Sequence, residues 1–372
     1  MRIAFVSTVL GYPWGGADTL WTRAAETATE RGDQLFLSVS AAVASNPRIS
    51  DLIAHGAQLL IREQEPNPSR PLLLLQKLGI ARSNESGLLT ALKNFRPDLI
   101  VFSQGGTYDL LLLPQVSAWI QASRSKYRII ANWQQEHPQL DAAHTAFMRA
   151  VFSKTDNIYF VSTRNLTVTR GHLALPLQNA RVIQNPLRWQ PHDATPWPSN
   201  GETHLATVSR LDEGKGIHLL LEALAATRIT LTDWRLSIFG QGPYESRLRN
   251  DVTRLGLGDR VQFCGYVPEL RHIWSTQHLM VSPALEEGVP MTIPEAMLCR
   301  RPVLATRVGG AEDWLTHGRD GFLCPAPTVE QLTQSLGEAF AAREQWEAMG
   351  WTAAESAARH YRTDDYLQLI TR

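Results

Sequence analysis

The sequence predicts an α/β protein built from two doubly wound, Rossmann-like domains. Three observations lead there. The 372 residues exceed what a single hydrophobic core commonly serves. Short apolar runs alternate with longer amphipathic segments along nearly the whole chain, the pattern of buried parallel strands covered by helices on both faces. The alternation breaks once, over residues 186–200, and then restarts.

Taken in order, residues 2–7 read as the first strand. A helix follows over about residues 19–31, where Leu20, Ala24, Ala25 and Ala28 recur at helical spacing and Gly32 supplies the stop. Residues 34–40, 99–103, 128–131 and 158–161 read as further buried strands, each followed by turn residues and another helical pattern. Pro186, Pro191, Pro196 and Pro198, with little periodicity between them, mark a linker. Residues 203–208, 235–239, 261–263, 279–282 and 303–305 then read as strands of a second domain. The last segment, residues 351–370, reads as a helix with Tyr361, Tyr366, Leu367 and Ile370 as its apolar residues. The expected division is an N-terminal domain over 1–186, a linker over 187–200, a C-terminal domain over 201–350 and a C-terminal helix over 351–372.

Composition narrows the function classes. Hydrophobic residues make up 44% and charged residues 19%, an ordinary globular balance. Lys plus Arg and Asp plus Glu each number 36, and this zero formal charge speaks against a protein that coats nucleic acid. Cys264, Cys299 and Cys324 form no CxxC pair and no disulfide framework, so free thiols in a reducing compartment are expected. The apolar start soon meets Gly11, Pro13 and Gly15, which reads as a first strand rather than a signal peptide. No uninterrupted apolar run reaches the roughly 18 residues of a membrane span.

Ligands of doubly wound sheets bind beyond the carboxyl ends of the strands, so the loops there carry the candidates. Gly15-Gly16-Ala17-Asp18 leads into the first helix. Its glycines admit a ligand close to the backbone and its amides favour an anion, but the same residues read equally as a turn with Asp18 capping the helix. The loop after residues 203–208 carries Arg210 and Lys215, placed to neutralise a diphosphate, or alternatively a solvated turn in which both pair with Asp212 and Glu213. Phe239-Gly240-Gln241-Gly242-Pro243 has a Gly-x-Gly but lacks the third glycine of a dinucleotide fingerprint. The most informative loop runs over residues 282–297. Glu287 lies beside Gly288, and Glu295 follows in a helix of about 291–299, between the apolar Ile293 and Met297. A carboxylate accepts two hydroxyls at once, as a ribose diol or a hexose edge presents them. Both glutamates also read as surface acids near a helix start.

At these residues the sequence resembles the family-4 retaining glycosyltransferases. The resemblance covers about residues 205–323, and the first domain more loosely. It rests on Arg210 and Lys215, Gly240-Gln241-Gly242-Pro243, Gly265-Tyr266-Val267, and Glu287 with Glu295 eight residues on. Arg301-Pro302-Val303-Leu304-Ala305 and Val308-Gly309-Gly310 follow in the same order, and Val182-Ile183-Gln184-Asn185-Pro186 is similar to the family's exit into the linker. The resemblance implies the glycosyltransferase B (GT-B) fold, two Rossmann-like domains facing a central cleft, and transfer of a sugar from a nucleotide-diphosphate sugar with retention of configuration. It further implies that Arg210 and Lys215 hold the diphosphate with the backbone of Gly15 and Gly16, and that Glu295 accepts the ribose hydroxyls. Glu287 and the backbone of Gly288, Val289, Pro290, Met291 and Thr292 would fix the transferred sugar. Gly240 would line the donor site, with Tyr266 and Val267 bordering the base.

No cofactor and no metal is expected from the resemblance, the donor itself being the nucleotide. The implied acceptor is a glycan, a lipid-linked sugar or a small molecule, met by first-domain loops at 104–108, 133–137 and 62–87. The implied location is the cytoplasm, including the inner face of a membrane, where the basic cluster Arg124, Lys126 and Arg128 would make at most weak contact. The implied pathway is polysaccharide or glycolipid biosynthesis, and the C-terminal segment is expected to fold back onto the first domain. One departure stands out. Many family members carry a histidine just past residues 128–131, where this chain reads Asn132-Trp133-Gln134-Gln135-Glu136-His137, making Trp133 and His137 the acceptor-side candidates. That departure keeps open a non-catalytic nucleotide-sugar-binding scaffold, beside a sugar-nucleotide epimerase of the same fold. An NAD-type oxidoreductase lacks its full glycine pattern in either half.

Overall fold

The computed structural model describes residues 1–9, 14–62, 84–123, 125–133, 140–199, 201–227 and 233–371. His137, Arg124 and most of the 62–87 stretch lie outside the described residues. The chain divides into two compact units, Met1–Pro186 with Arg362–Arg372, and Leu187–Tyr361.

Among the described residues the first unit holds seven strands: β1 (Arg2–Ser7), β2 (Gln34–Ser40), β3 (Gln58–Arg62), β4 (Leu99–Gln104), β5 (Lys126–Ala131), β6 (Asn157–Phe160) and β7 (Ala180–Val182). They pair in the order β3-β2-β1-β4-β5-β6-β7, every pair parallel. Parallel pairing demands a crossover between neighbours, and the crossovers are the helices that cover both faces. For that reason Ile3, Ala4, Phe5 and Val6 are buried in succession rather than alternately. The first helix, Gly16–Glu30, buries Leu20, Trp21, Ala24, Ala25 and Ala28, and Gly32 follows with φ +77, the left-handed value glycine adopts readily at a helix end.

The second unit repeats the plan with β8 (Thr203–Val208), β9 (Trp234–Phe239), β10 (Val261–Gly265), β11 (Leu279–Ser282), β12 (Val303–Thr306) and β13 (Gly321–Cys324). Its sheet is parallel throughout, in the order β10-β9-β8-β11-β12-β13. The two doubly wound sheets are the fold class that the alternating pattern predicts. Strands β3, β7 and β13 were not predicted. All three lie at sheet edges and are three to five residues long, too short for a buried run to declare itself.

Three expectations need correction. The proline-bearing stretch is not a free linker, because from Leu187 it is already part of the second unit, Leu187–Tyr361. Arg301, fully buried, holds it there. Its guanidinium donates to Thr195 Oγ1 at 2.6 Å and to the Pro196 carbonyl at 2.7 Å, and also to the carbonyls of Gln277 (2.7 Å) and Cys299 (2.9 Å). Burial pulls the Arg301 pKa down to about 10, so it remains a cation at neutral pH.

The segment over 351–372 is not one helix either. A helix runs Trp346–His360 in the second unit, and from Arg362 the chain belongs to the first. There Asp365–Leu369 forms a 3-10 turn, Asp365 accepts from the Gln184 amide at 2.9 Å, and Gln184 Oε1 accepts from the Arg362 amide at 2.7 Å. The third correction concerns the basic cluster. Arg128 is buried and committed, donating to Asp156 (3.1 Å) and to the carbonyls of Gln368 (3.0 Å) and Thr371 (2.6 Å), so it offers no charge to a membrane surface. Among the described residues no helix is long and apolar enough to cross a membrane.

Candidate functional site

A doubly wound sheet has a switch point where the strand order reverses, and the two loops leaving it diverge to form a crevice. In the second sheet that point lies between β8 and β11. The loop after β8 carries Arg210 and Lys215, and the segment after β11 carries Glu287 and Glu295. The residues with the most suggestive chemistry therefore leave the sheet side by side, although they are far apart in sequence.

Backbone contacts stitch these loops together, and glycines make the contacts possible. Gly216 has φ +64, and a Cβ there would lie 2.0 Å from the Pro283 carbonyl oxygen. The Leu285 amide donates to the Gly214 carbonyl at 2.8 Å. Gly309 has φ +51, and a Cβ on it would meet the Glu287 carbonyl oxygen at 2.3 Å, while the Gly310 amide donates to the Gly288 carbonyl at 2.9 Å. Gly240 has φ +128 with the Ser209 carbonyl oxygen 1.8 Å from its virtual Cβ. Backbone crossing thus accounts for glycine at 240 without any ligand.

The stitched loops bring two charged pairs together. Lys215 Nζ donates to Glu287 Oε1 at 2.5 Å, with side-chain exposures of 23% and 14%. Burial is the strongest single influence on the lysine and pulls its pKa down, but the charge and hydrogen bond of Glu287, with Asp212 behind them, outweigh it and leave the pKa raised. Lys215 is therefore cationic at neutral pH. The alternative of a charged turn paired within itself holds for half of the loop: Arg210 pairs with Asp212, whereas Lys215 reaches Glu287, not Glu213.

The second pair involves a residue that the sequence did not single out. Glu295 is only 2% exposed, in a short helix, Thr292–Leu298, whose residues from Ile293 onward are buried. Arg188 closes over it: Nε donates to Oε1 at 2.9 Å and Nη2 to Oε2 at 2.7 Å. The Tyr266 hydroxyl oxygen accepts a further hydrogen bond from Arg188, and Tyr266 itself is 64% exposed. Val267 packs partly buried beside the apolar cluster under β11 and β12. Gly288 and Pro290 are buried and Val289, Met291 and Thr292 partly so, in a loop that turns helical only at Thr292.

In the first unit the switch point lies between β1 and β4. Gly15 caps the first helix with an extended backbone, and Asp18 reaches back to accept from the Gly15 amide at 3.1 Å. Burial raises the Asp18 pKa to about 6, opposed by hydrogen bonds from Trp21 and Gly15. Among the described residues nothing lies within 4 Å of a Cβ built on Gly15, and its φ of −155 is open to any residue. Gly16 opens the helix. After β4, Asp109 gathers the Gly105 amide (2.9 Å), the Gly106 amide (3.2 Å) and Thr8 Oγ1 (2.7 Å), and burial raises its pKa. Past β5, Asn132 Nδ2 donates to Ser103 Oγ and to the Gln104 carbonyl, and the Trp133 carbonyl accepts from Thr107 Oγ1 at 3.0 Å. Asn132, not a histidine, thus holds the place just past this strand.

Residues 193–356 match the family model described as Glycosyl transferases group 1. The match contains Arg210, Lys215, Tyr266, Glu287 and Glu295, but not Arg188. The chain is 32% identical over 152 residues to an exopolysaccharide phosphotransferase of Streptomyces coelicolor, which covers 40% of this chain and 16% of the relative. It is 29% identical over 168 residues to the GDP-mannose-dependent alpha-(1-6)-phosphatidylinositol monomannoside mannosyltransferase of Mycolicibacterium smegmatis, covering 43% of each. The chain thus spans less than half the length of these curated relatives. The solved structure of Anabaena HepE in complex with UDP and glucose superposes with a TM-score of 0.74 at 20% identity, over 100% of this chain and 98% of that one. The fold is that of the GT-B glycosyltransferases.

Proposed function

We propose that this chain is a glycosyltransferase that moves a sugar from a nucleoside-diphosphate sugar to a hydroxyl acceptor, with retention of configuration and without a resident metal. The observation that carries the reading is Lys215, charged and held by Glu287 at the switch point of the second sheet. The match over 193–356 supports it. In the reaction the bond from the anomeric carbon to the diphosphate breaks and a bond to the acceptor oxygen forms on the same face. The acceptor's proton passes to the departing diphosphate. Arg210 and Lys215 stabilise the charge that develops there, and positioned cations of this kind supply much of the catalysis in such steps. Glu287 holds a hydroxyl of the transferred sugar, and Glu295 meets the ribose.

The acceptor falls to the first unit, where Trp133 and the Gln104–Tyr108 loop are the described candidates. A glycan or lipid-linked acceptor fits the names of the relatives, one of which is a phosphatidylinositol monomannoside mannosyltransferase. The test is thermal melting with UDP, GDP, ADP, dTDP and NADH, followed by transfer assays with sugar conjugates of the best nucleotide. A nucleotide at 100 times its dissociation constant stabilises the fold by roughly 2.7 kcal/mol, a visible shift. Stabilisation by NADH alone would sink the proposal, as would nucleotide binding without transfer to any acceptor class.

A further inference from the structure

The pair between Arg188 and Glu295 has a consequence for how a nucleotide is held. A carboxylate offers four acceptor positions, two on each oxygen. Oε1 of Glu295 receives both the Nε–H of Arg188 at 2.9 Å and its backbone N–H at 3.4 Å, and Oε2 receives Nη2–H at 2.7 Å. Among the described residues one position, on Oε2, is left. A ribose diol needs two.

We propose that Arg188 is a positioning residue of the nucleotide site and stays on Glu295 when the nucleotide binds, so that the carboxylate takes one ribose hydroxyl rather than two. This rests on the reading of Glu295 as the ribose acceptor. Glu295 lies at 2% exposure among the buried Ile293, Ala296 and Met297. Removing the guanidinium would strip a desolvated anion of its counter-charge, a loss of the same order as two hydroxyl hydrogen bonds return. Leaving the pair intact costs nothing and still gives one such bond. Arg188 also has N–H groups to spare. A guanidinium carries five, the pair with Glu295 uses two and Tyr266 accepts another, and the side chain is 40% exposed. A ligand at this place meets a cation backed by a carboxylate, so Arg188 presents donors to it while Glu295 acts partly through the arginine.

Calorimetry on the full chain tests this with the nucleoside diphosphate that gives the largest melting shift and with its 2′-deoxy and 3′-deoxy forms. For the unmodified protein one analogue should bind within about twofold of the parent and the other roughly tenfold or more weakly, the worth of one hydrogen bond to a charged acceptor. In Arg188→Met both analogues should bind more weakly than the parent, because the vacated positions accept the second hydroxyl. Equal losses for both analogues in the unmodified protein would overturn the proposal while leaving Glu295 as the ribose acceptor. A loss for neither would remove Glu295 from the ribose altogether, and no binding of any nucleoside diphosphate would remove the donor site itself. Should Arg188→Met fail to fold, the comparison in the unmodified protein still decides, and Arg188→Lys, a single-point donor, should show an intermediate loss for the second analogue.

Discussion

Replacing Lys215 by alanine separates a catalytic cation from a structural one. The lysine meets Glu287 at 2.5 Å across 72 residues of sequence, with exposures of 23% and 14%. An ion pair fully in water is worth about 0–1 kcal/mol, and removing one partner of a fully buried pair costs about 3–5 kcal/mol. With roughly a fifth of the pair exposed, Lys215→Ala should cost about 2–3 kcal/mol. A domain with a stability of about 5–15 kcal/mol stays folded after that loss. The rate of transfer should fall much further, by about 100- to 1,000-fold, because a positioned donor to the leaving group is gone. The assay is denaturant unfolding and initial transfer rate on the same preparations of Lys215→Ala, Glu287→Gln and the double variant. In the double variant Glu287 no longer leaves an uncompensated charge, so about 1–2 kcal/mol of stability should return while activity stays down. If Lys215→Ala alone lost activity only in proportion to its lost stability, Lys215 would be a structural cation and the reasoning would be refuted.

Other perturbations bear on the same site. Gly309→Ala should destabilise by at least about 1–2 kcal/mol in denaturant unfolding, because a left-handed φ of +51 and a carbonyl oxygen 2.3 Å from the new Cβ act together. It should also lower transfer, since the displaced backbone is that of Glu287, and an unchanged midpoint would dispose of the stitching argument. Glu295→Gln should weaken nucleotide binding roughly tenfold in calorimetry, because a carboxamide is a poorer acceptor and cannot take both arginine N–H groups. Asp18 has a folded pKa raised from 3.8 to about 6, so the folded state binds its proton more tightly than the unfolded chain. Its contribution is fully present below pH 3.8 and is lost as pH rises through about 6, to the extent of about 3 kcal/mol. Asp18→Asn should flatten that part of the stability profile between pH 4 and pH 6, and identical slopes in the two proteins would refute the assignment.

Much of the candidate site's layout was legible because a strand followed by unusual loop residues is a local signal. Arg210, Lys215 and Glu287 stand just past buried runs, and the tertiary structure places them beyond the ends of adjacent strands, with Glu295 in the helix that follows the second of these loops. Arg188 escaped notice because it sits among prolines in a stretch without periodicity, where a charged residue reads as solvated. Its one signal was a charge just past Asn185-Pro186, at the entrance to the second unit. Arg301 was noticed as part of a motif, but nothing in its surroundings betrayed complete burial, since its partners are mostly backbone carbonyls rather than an acid. Gly240 was read as lining a ligand, and its contact with Ser209 shows why glycine is required there in any case.

By itself the sequence determined that buried strands alternate with helices, that the alternation restarts once, and which loops carry charge. Each of these follows from periodicity and burial within about ten residues, which is the range over which composition constrains a chain. Only the tertiary structure decided which charges meet. Lys215 finds Glu287 because β11 lies beside β8 although two strands intervene in sequence, and because glycines let their loops touch, while Arg188 reaches Glu295 from the stretch that precedes β8. A pairing across 72 or 107 residues is settled by sheet order and backbone packing, for which no local pattern of residues carries a mark.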